Sequence, residues 1–164
     1  MYKRQGYFGA ALDYNTGYAD DDDRKSGPYH DSNSDGSIDF KSEFNVGWAV
    51  TAAKRDVCSA CDTNYDFTKT IFDAYLEGRT LITNQADISA ILAQRDVVMN
   101  NWEKVVAAVS VHYVNDTVEE IARLIEAGDA SLSAGTSATA NYEKYWGEMR
   151  GYAHGLIYND YKLI

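Results

Sequence analysis

The chain has 164 residues, 45% of them hydrophobic, and a formal net charge of −10, which is enough length and apolar content to bury a core. The charge is uneven: residues 13–39 hold eight acids and two bases, Arg24 and Lys25, a field that attracts cations and disfavours nucleic-acid binding. No stretch approaches the ~18 to 20 consecutive apolar residues of a membrane helix, so no transmembrane segment is expected in this chain.

The opening Met-Tyr-Lys-Arg-Gln has no apolar segment of a signal peptide behind it. Gly6-Tyr7-Phe8-Gly9 begins abruptly, as if inside a helix, and the helical pattern at Tyr161-Lys-Leu-Ile164 stops as abruptly. Both ends read as cuts, so residues 1–164 are expected to be one helical domain from a longer protein, truncated at both ends. The missing export signal then says little about the compartment. The acid run Asp20-Asp21-Asp22-Asp23 reads as a solvated loop rather than a ligand set.

The most specific signal follows. Asp31, Asn33 and Asp35 place side-chain oxygens at positions 1, 3 and 5 of a DxNxDG loop, Gly36 takes the sharp turn at 6, Ser37 offers its carbonyl at 7, and Asp39 stands at 9. Ile38 is the apolar anchor. Position 12 is Ser42, and the carboxylate expected there, Glu43, comes one residue later. Gly27-Pro28 just upstream argues against a helix running into the loop, hence against a paired EF-hand. The expectation is an isolated calcium loop of the kind used in extracellular modules; the plain alternative is an Asx-rich turn that binds nothing.

After the loop, Phe40, Phe44, Trp48, Val50 and Thr51 are expected to begin a helix that ends near Asp56, with Asp39 as its cap. Cys58 and Cys61 form one Cys-Ser-Ala-Cys, compatible with a short disulfide, a redox pair or half of a zinc site. No second such pair exists, and His30, His112 and His154 are far apart in sequence.

From Tyr65 the spacing of Phe67, Ile71, Tyr75 and Leu76 predicts a helix capped by Asp66. Next, Ile88, Ile91, Leu92, Val98, Trp102, Val105, Val106, Val109 and Tyr113 form a helical stripe about 26 residues long, capped by Asn84 or Asp87 and spanning about 39 Å. The capping box Thr117-Val-Glu-Glu120 predicts a new short helix through Ile121, Leu124 and Ile125 to Gly128. Residues 129–139 read as a loop. A last helix carries Tyr142, Tyr145, Trp146, Met149, Tyr152 and Ala153 on one side. The thirteen tyrosines and three tryptophans, at such spacing, are expected to pack between helices rather than line a sugar-binding surface.

No His-Glu-x-x-His, Gly-x-Ser-x-Gly, phosphate-binding or dinucleotide-binding glycine pattern is present, and no acid/base dyad can be named. No catalytic residue is therefore assigned.

Tyr65-Asp-Phe-Thr-Lys-Thr-Ile-Phe-Asp-Ala-Tyr-Leu-Glu-Gly-Arg-Thr-Leu-Ile82, Ala93-Gln-Arg-Asp-Val-Val-Met-Asn-Asn-Trp-Glu-Lys-Val-Val106, His112-Tyr113, Tyr7-Phe-Gly9 and Trp146-Gly-Glu-Met-Arg-Gly-Tyr152 stand together here. This set resembles the imelysin-like family of exported or surface-anchored bacterial proteins, a family of unknown function. The resemblance implies an imelysin-like helical bundle with two helical halves at the periplasm or cell surface, in agreement with the all-α class that the helical periodicity predicts; the DxNxDG loop is expected between the first two helices. Some imelysin relatives are linked to iron uptake or called peptidases. The family's His-Trp-Asp-Glu element would precede Gly6, where this chain has only residues 1–5, and the Gly-x-His-x-x-Glu pattern is missing, since Gly151-Tyr-Ala-His154 is followed by no such glutamate.

The combined expectation is a non-enzymatic extracytoplasmic helical protein that binds structural Ca2+ through Asp31, Asn33, Asp35, Ser37, Asp39 and Glu43. The alternative is an imelysin-related iron-binding or metallopeptidase-like envelope protein whose site is completed by sequence before Gly6.

Overall fold

The computed structural model describes residues 6–12, 29–56, 63, 65–128 and 135–159. The acid run at 20–23, Gly27-Pro28, both cysteines, residues 129–134 of the expected loop and both chain ends lie outside the described residues. The described residues are predominantly helical and contain no β-strand, so the all-α class expected from periodicity holds. The helices follow as α1, Trp48–Asp56; α2, Phe67–Thr83; α3, Ile88–Glu126; and α4, Ala140–Ile157. The chain gathers into two compact units, Met1–Val105 and Val106–Ile164, with α3 contributing residues to each.

In the first unit α2 starts where its cap predicts: the Asp66 carboxylate accepts the Lys69 N–H at 2.7 Å. Its buried face is Thr68, Ile71, Phe72, Ala74, Tyr75 and Gly78. It packs against α1, whose buried residues include Ala49, Ala52 and Ala53, small enough to let two helices approach closely. An aromatic group ties in the N-terminal segment: the Phe8 ring lies 5.4 Å from Trp102 and 6.2 Å from Tyr75, and Trp48 lies 5.9 Å from Trp102. The turn into α3 places Gln85 at φ 54°, and the Asp87 carbonyl accepts the Ala90 and Ile91 N–H groups.

Two expectations in this unit are corrected. The helical stretch at residues 6–8 does not continue through Gly9, which adopts φ +86°; a Cβ there would stand 2.1 Å from the Val46 carbonyl oxygen. The helix expected from Phe40 begins instead at Trp48. Residues 40–43 form a turn because the Asp39 carbonyl accepts the Ser42 and Glu43 N–H groups, and residues 45–46 are held by the N-terminal segment. Asn45 Oδ1 accepts the Ala11 N–H at 2.7 Å, and the Val46 N–H donates to the Gly9 carbonyl at 2.8 Å.

In the second unit, Tyr113 stacks on Tyr152 at 5.9 Å and lies 6.1 Å from Tyr145, so α3 and α4 pair through tyrosine rings. The helix expected to start anew at the capping box does not: α3 runs unbroken through it. The Thr117 hydroxyl donates back to the Tyr113 carbonyl at 2.6 Å, inside the helix, and Glu120 takes the Arg123 guanidinium through two contacts of 2.9 and 2.6 Å. Gly128, at φ +60°, ends this helix in the left-handed turn expected of it. At the start of α4, the Glu143 carboxylate accepts the Gly135 N–H and the Thr139 hydroxyl. Among the described residues no helix is long and apolar enough to cross a membrane.

Candidate metal centre

Residues 31–43 form a loop with a closed base. The His30 N–H donates to the Glu43 carbonyl at 3.1 Å, Tyr29 and Phe44 make an antiparallel bridge, and their rings stack at 6.1 Å. The exit of the loop passes straight into the Asn45 and Val46 anchors on the N-terminal segment, then into α1.

Within the loop the sequence-selected oxygens curl around two backbone amides. Asp31 Oδ1 and Asn33 Oδ1 both accept the Asp35 N–H, at 3.1 and 2.9 Å, and Asp31 Oδ2 accepts the Gly36 N–H at 2.8 Å. Gly36 supplies the required left-handed φ of +81°, while Ser34, at φ 59°, adopts the same region without being glycine. Asp35 in turn accepts the Ser37 N–H at 2.8 Å on one oxygen and the Asn33 amide at 3.1 Å on the other. Asp39 faces away from this group: its oxygens take the Lys41 N–H and the Ser42 hydroxyl, each at 2.9 Å. The Lys41 amide and then the Ser42 hydroxyl hold its carboxyl below the ordinary aspartate value.

Glu43 is the most buried member, with 2% of its surface exposed in a loop where Asp31 is half-buried and Asp35 and Asp39 are exposed. Its Oε1 accepts the Ser32 N–H at 3.0 Å, the Ser32 hydroxyl at 2.9 Å and the Asn33 N–H at 3.4 Å, and its Oε2 accepts the Asp39 N–H at 2.9 Å. It clips the start of the loop to its middle. Those donors, the Asp39 amide first and the Ser32 hydroxyl next, lower its pKa.

The donor chemistry suits a hard cation: three aspartates, one amide oxygen, a backbone carbonyl and a glutamate, with no nitrogen or sulfur among them. An ionised carboxylate offers about four lone-pair positions, so Asp31, with two N–H partners, keeps capacity on both oxygens. Glu43 has filled Oε1 and keeps room on Oε2 alone. Among the described residues no three His, Cys, Asp or Glu side chains are gathered as a ligand set; in this arrangement the carboxylates serve the loop's own amides.

A second buried carboxylate was not singled out from sequence. Asp56, the last residue of α1, is 4% exposed and accepts the Phe67 N–H at 2.6 Å and the Thr68 hydroxyl at 2.5 Å, with the Thr68 N–H at 3.3 Å. It caps α2 from another helix. Burial drives its pKa up to about 6, against the Thr68 hydroxyl bond and with help from the neighbouring Asp66 charge. The available signal was an acid at a helix C-terminus, where the macrodipole disfavours it unless a partner elsewhere requires it.

Among the described residues the histidines join no ligand set. His112 lies 3.4 Å from Asp116 on the same helix, and His154 stands in the last turn of α4. A cavity of about 220 Å³ between α2 and α3, lined by Ala74, Tyr75, Ile82, Gln94, Arg95, Val98 and Met99, presents no nucleophile or base arrangement. Compared with protein-family profiles, with curated proteins and with solved structures, this chain matches none.

Proposed function

We propose that residues 31–43 are a Ca2+ loop whose ligation braces the helical scaffold, and that the chain is a non-enzymatic, extracytoplasmic structural protein of imelysin-like type. The observation that carries this reading is the meeting of Asp31 Oδ1 and Asn33 Oδ1 on one backbone amide, with Asp31 Oδ2 on the next. The backbone curl directs these oxygens inward, and ligation would have Asp31, Asn33 and Asp35 turn their remaining lone pairs to a common centre and Asp39 release the Lys41 amide and the Ser42 hydroxyl. Ser37 contributes its carbonyl. Asp39, once turned from its own turn, and the free lone pair of Glu43 Oε2 would complete the ligand set. A bound divalent cation supplies charge neutralisation for a region that holds much of the chain's acidity.

A single loop whose Asn33, Asp35, Ser37 and Asp39 are exposed suits weak affinity, on the order of 10⁻⁴–10⁻³ M, matched to extracellular calcium. That match, with the resemblance set out above, supports the extracytoplasmic placement. Calorimetric titration with CaCl2 of the wild type and of a variant carrying Asp31→Ala and Asp35→Ala tests the reading. Heat in the first and none in the second is expected; no heat in either removes calcium from the account.

A further inference from the structure

Along the second unit's part of α3, Val111, Val114, Val118, Ile121 and Ile125 recur at alternating intervals of three and four residues. That is the seam of a coiled coil, read over two heptads. Every one of the five is between 40% and 73% exposed. The unit's own packing uses a different face of the same helix: Thr117, Glu120 and Leu124 are buried, and Tyr113 engages the rings of α4. The apolar seam is therefore additional to the hairpin's internal contact, and such a contiguous patch on a folded surface marks an interaction site.

We propose that this seam pairs with the same seam of a second copy of the chain, in antiparallel orientation. Charge selects the occupant. The positions flanking the seam are Ala108, Asn115 and Ala122 on one side and Ser110, Thr117 and Leu124 on the other, all uncharged in a chain of net charge −10. Flanking charges ordinarily choose an oppositely charged partner and repel a like one; a neutral border leaves self-pairing unopposed. A membrane surface fits less well, because helices that lie on lipid carry Lys and Arg along their polar border, and Arg123 is the single Lys or Arg between 106 and 126.

Side-chain volume selects the orientation. Antiparallel pairing can set Val114 against Ile125 of the second copy and Val118 against Ile121, so each of four layers combines one valine with one isoleucine. Parallel pairing would put β-branched residues at both seam positions, a pattern associated with higher oligomers rather than dimers. Antiparallel packing also opposes the two helix dipoles and gives a closed two-fold dimer. Five half-exposed aliphatic side chains offer less than the ~800 Å² per partner of a tight complex, so the dimer is concentration-dependent.

Light scattering of the full chain across ~1 to ~300 µM, a span that covers weak micromolar association, tests the pairing. A mass that rises from one chain to two is expected, and Val118→Glu should raise the dissociation constant on the order of a hundredfold, the cost of an unpaired charge in the seam. Circular dichroism verifies that this exposed substitution leaves the helices intact. In a Cys58→Ser, Cys61→Ser background, a mixture of Val114→Cys and Ile125→Cys chains should form a mixed disulfide, while neither chain links to itself. A constant monomer mass, a dimer indifferent to Val118→Glu, or self-linked Val114→Cys chains would each overturn the proposal.

Discussion

Glu43 and Asp56 are both buried carboxylates that accept backbone amides and a hydroxyl, yet their protons respond in opposite directions. Glu43 closes a loop in which four donor contacts converge on it and hold its pKa down. Asp56 sits between two helices, where removal from water outweighs its donors and raises its pKa to about 6. The difference shows that similar local hydrogen bonding does not fix the charge state of an acid. What surrounds the donors does. A charged Glu43 suits a loop closed by converging amide donors, whereas Asp56 is held where removal from water favours its neutral form.

The contrast is broken most forcefully at Asp56. Asp56→Ala strands the Phe67 and Thr68 amides and the Thr68 hydroxyl and is expected to lower stability by about 3 kcal/mol, measured by urea unfolding at pH 7. Asp56→Asn, which keeps an acceptor for the two amides and avoids burying a charge, should leave stability at pH 7 within about 1 kcal/mol of the wild type.

A pH series separates the two acids by sign. Asp56 has a folded pKa above its unfolded value, so its contribution is fully present below pH 3.8 and fades, by about 3 kcal/mol, as pH rises to about 6. Asp56→Asn should remove that slope. Glu43 has a folded pKa below 4.5, so its contribution is present above pH 4.5 and is lost as pH falls through the lower folded value. Glu43→Gln should remove only this acid-side loss; identical profiles for both variants would contradict the distinction.

A smaller effect is expected for Glu43→Ala at neutral pH, a fall in Tm of roughly 5 °C, because its stranded donors lie near solvent and water can replace part of the lost bonding. Differential scanning calorimetry measures it. Tm unchanged by the substitution would mean that the clip across residues 32–43 does not hold the loop to the scaffold.

The all-α class and several boundaries were legible because they rest on local chemistry. Asp66 caps α2 as its position predicts, α1 ends at Asp56, and Gly128 ends α3. The failures came where distant residues decide. Phe40 and its neighbours have helical spacing, but the Glu43 clip and the Asn45–Ala11 contact, thirty-four residues apart in sequence, hold them in a turn. Thr117 carries a cap signature, yet its hydroxyl found the Tyr113 carbonyl inside a helix stabilised by tertiary packing. In the loop, the spacing of Asp31, Asn33 and Asp35 announced the curl, and the late Glu43 announced an irregular closure. That Glu43 would bond amides at both the start and the middle of the loop was not readable, because it depends on a turn at residues 40–43 that the helical pattern concealed.

The claim on which the account turns is that a calcium ion, through Asp31 and Asp35, stabilises the scaffold beyond the loop. The most direct measurement is the calorimetric melting of the wild type in CaCl2 and in EDTA, beside the Asp31→Ala, Asp35→Ala variant in both. Calcium at a hundredfold excess over its dissociation constant should stabilise the wild type by about 2.7 kcal/mol and leave the variant unmoved. Superimposable wild-type transitions in CaCl2 and EDTA would contradict it.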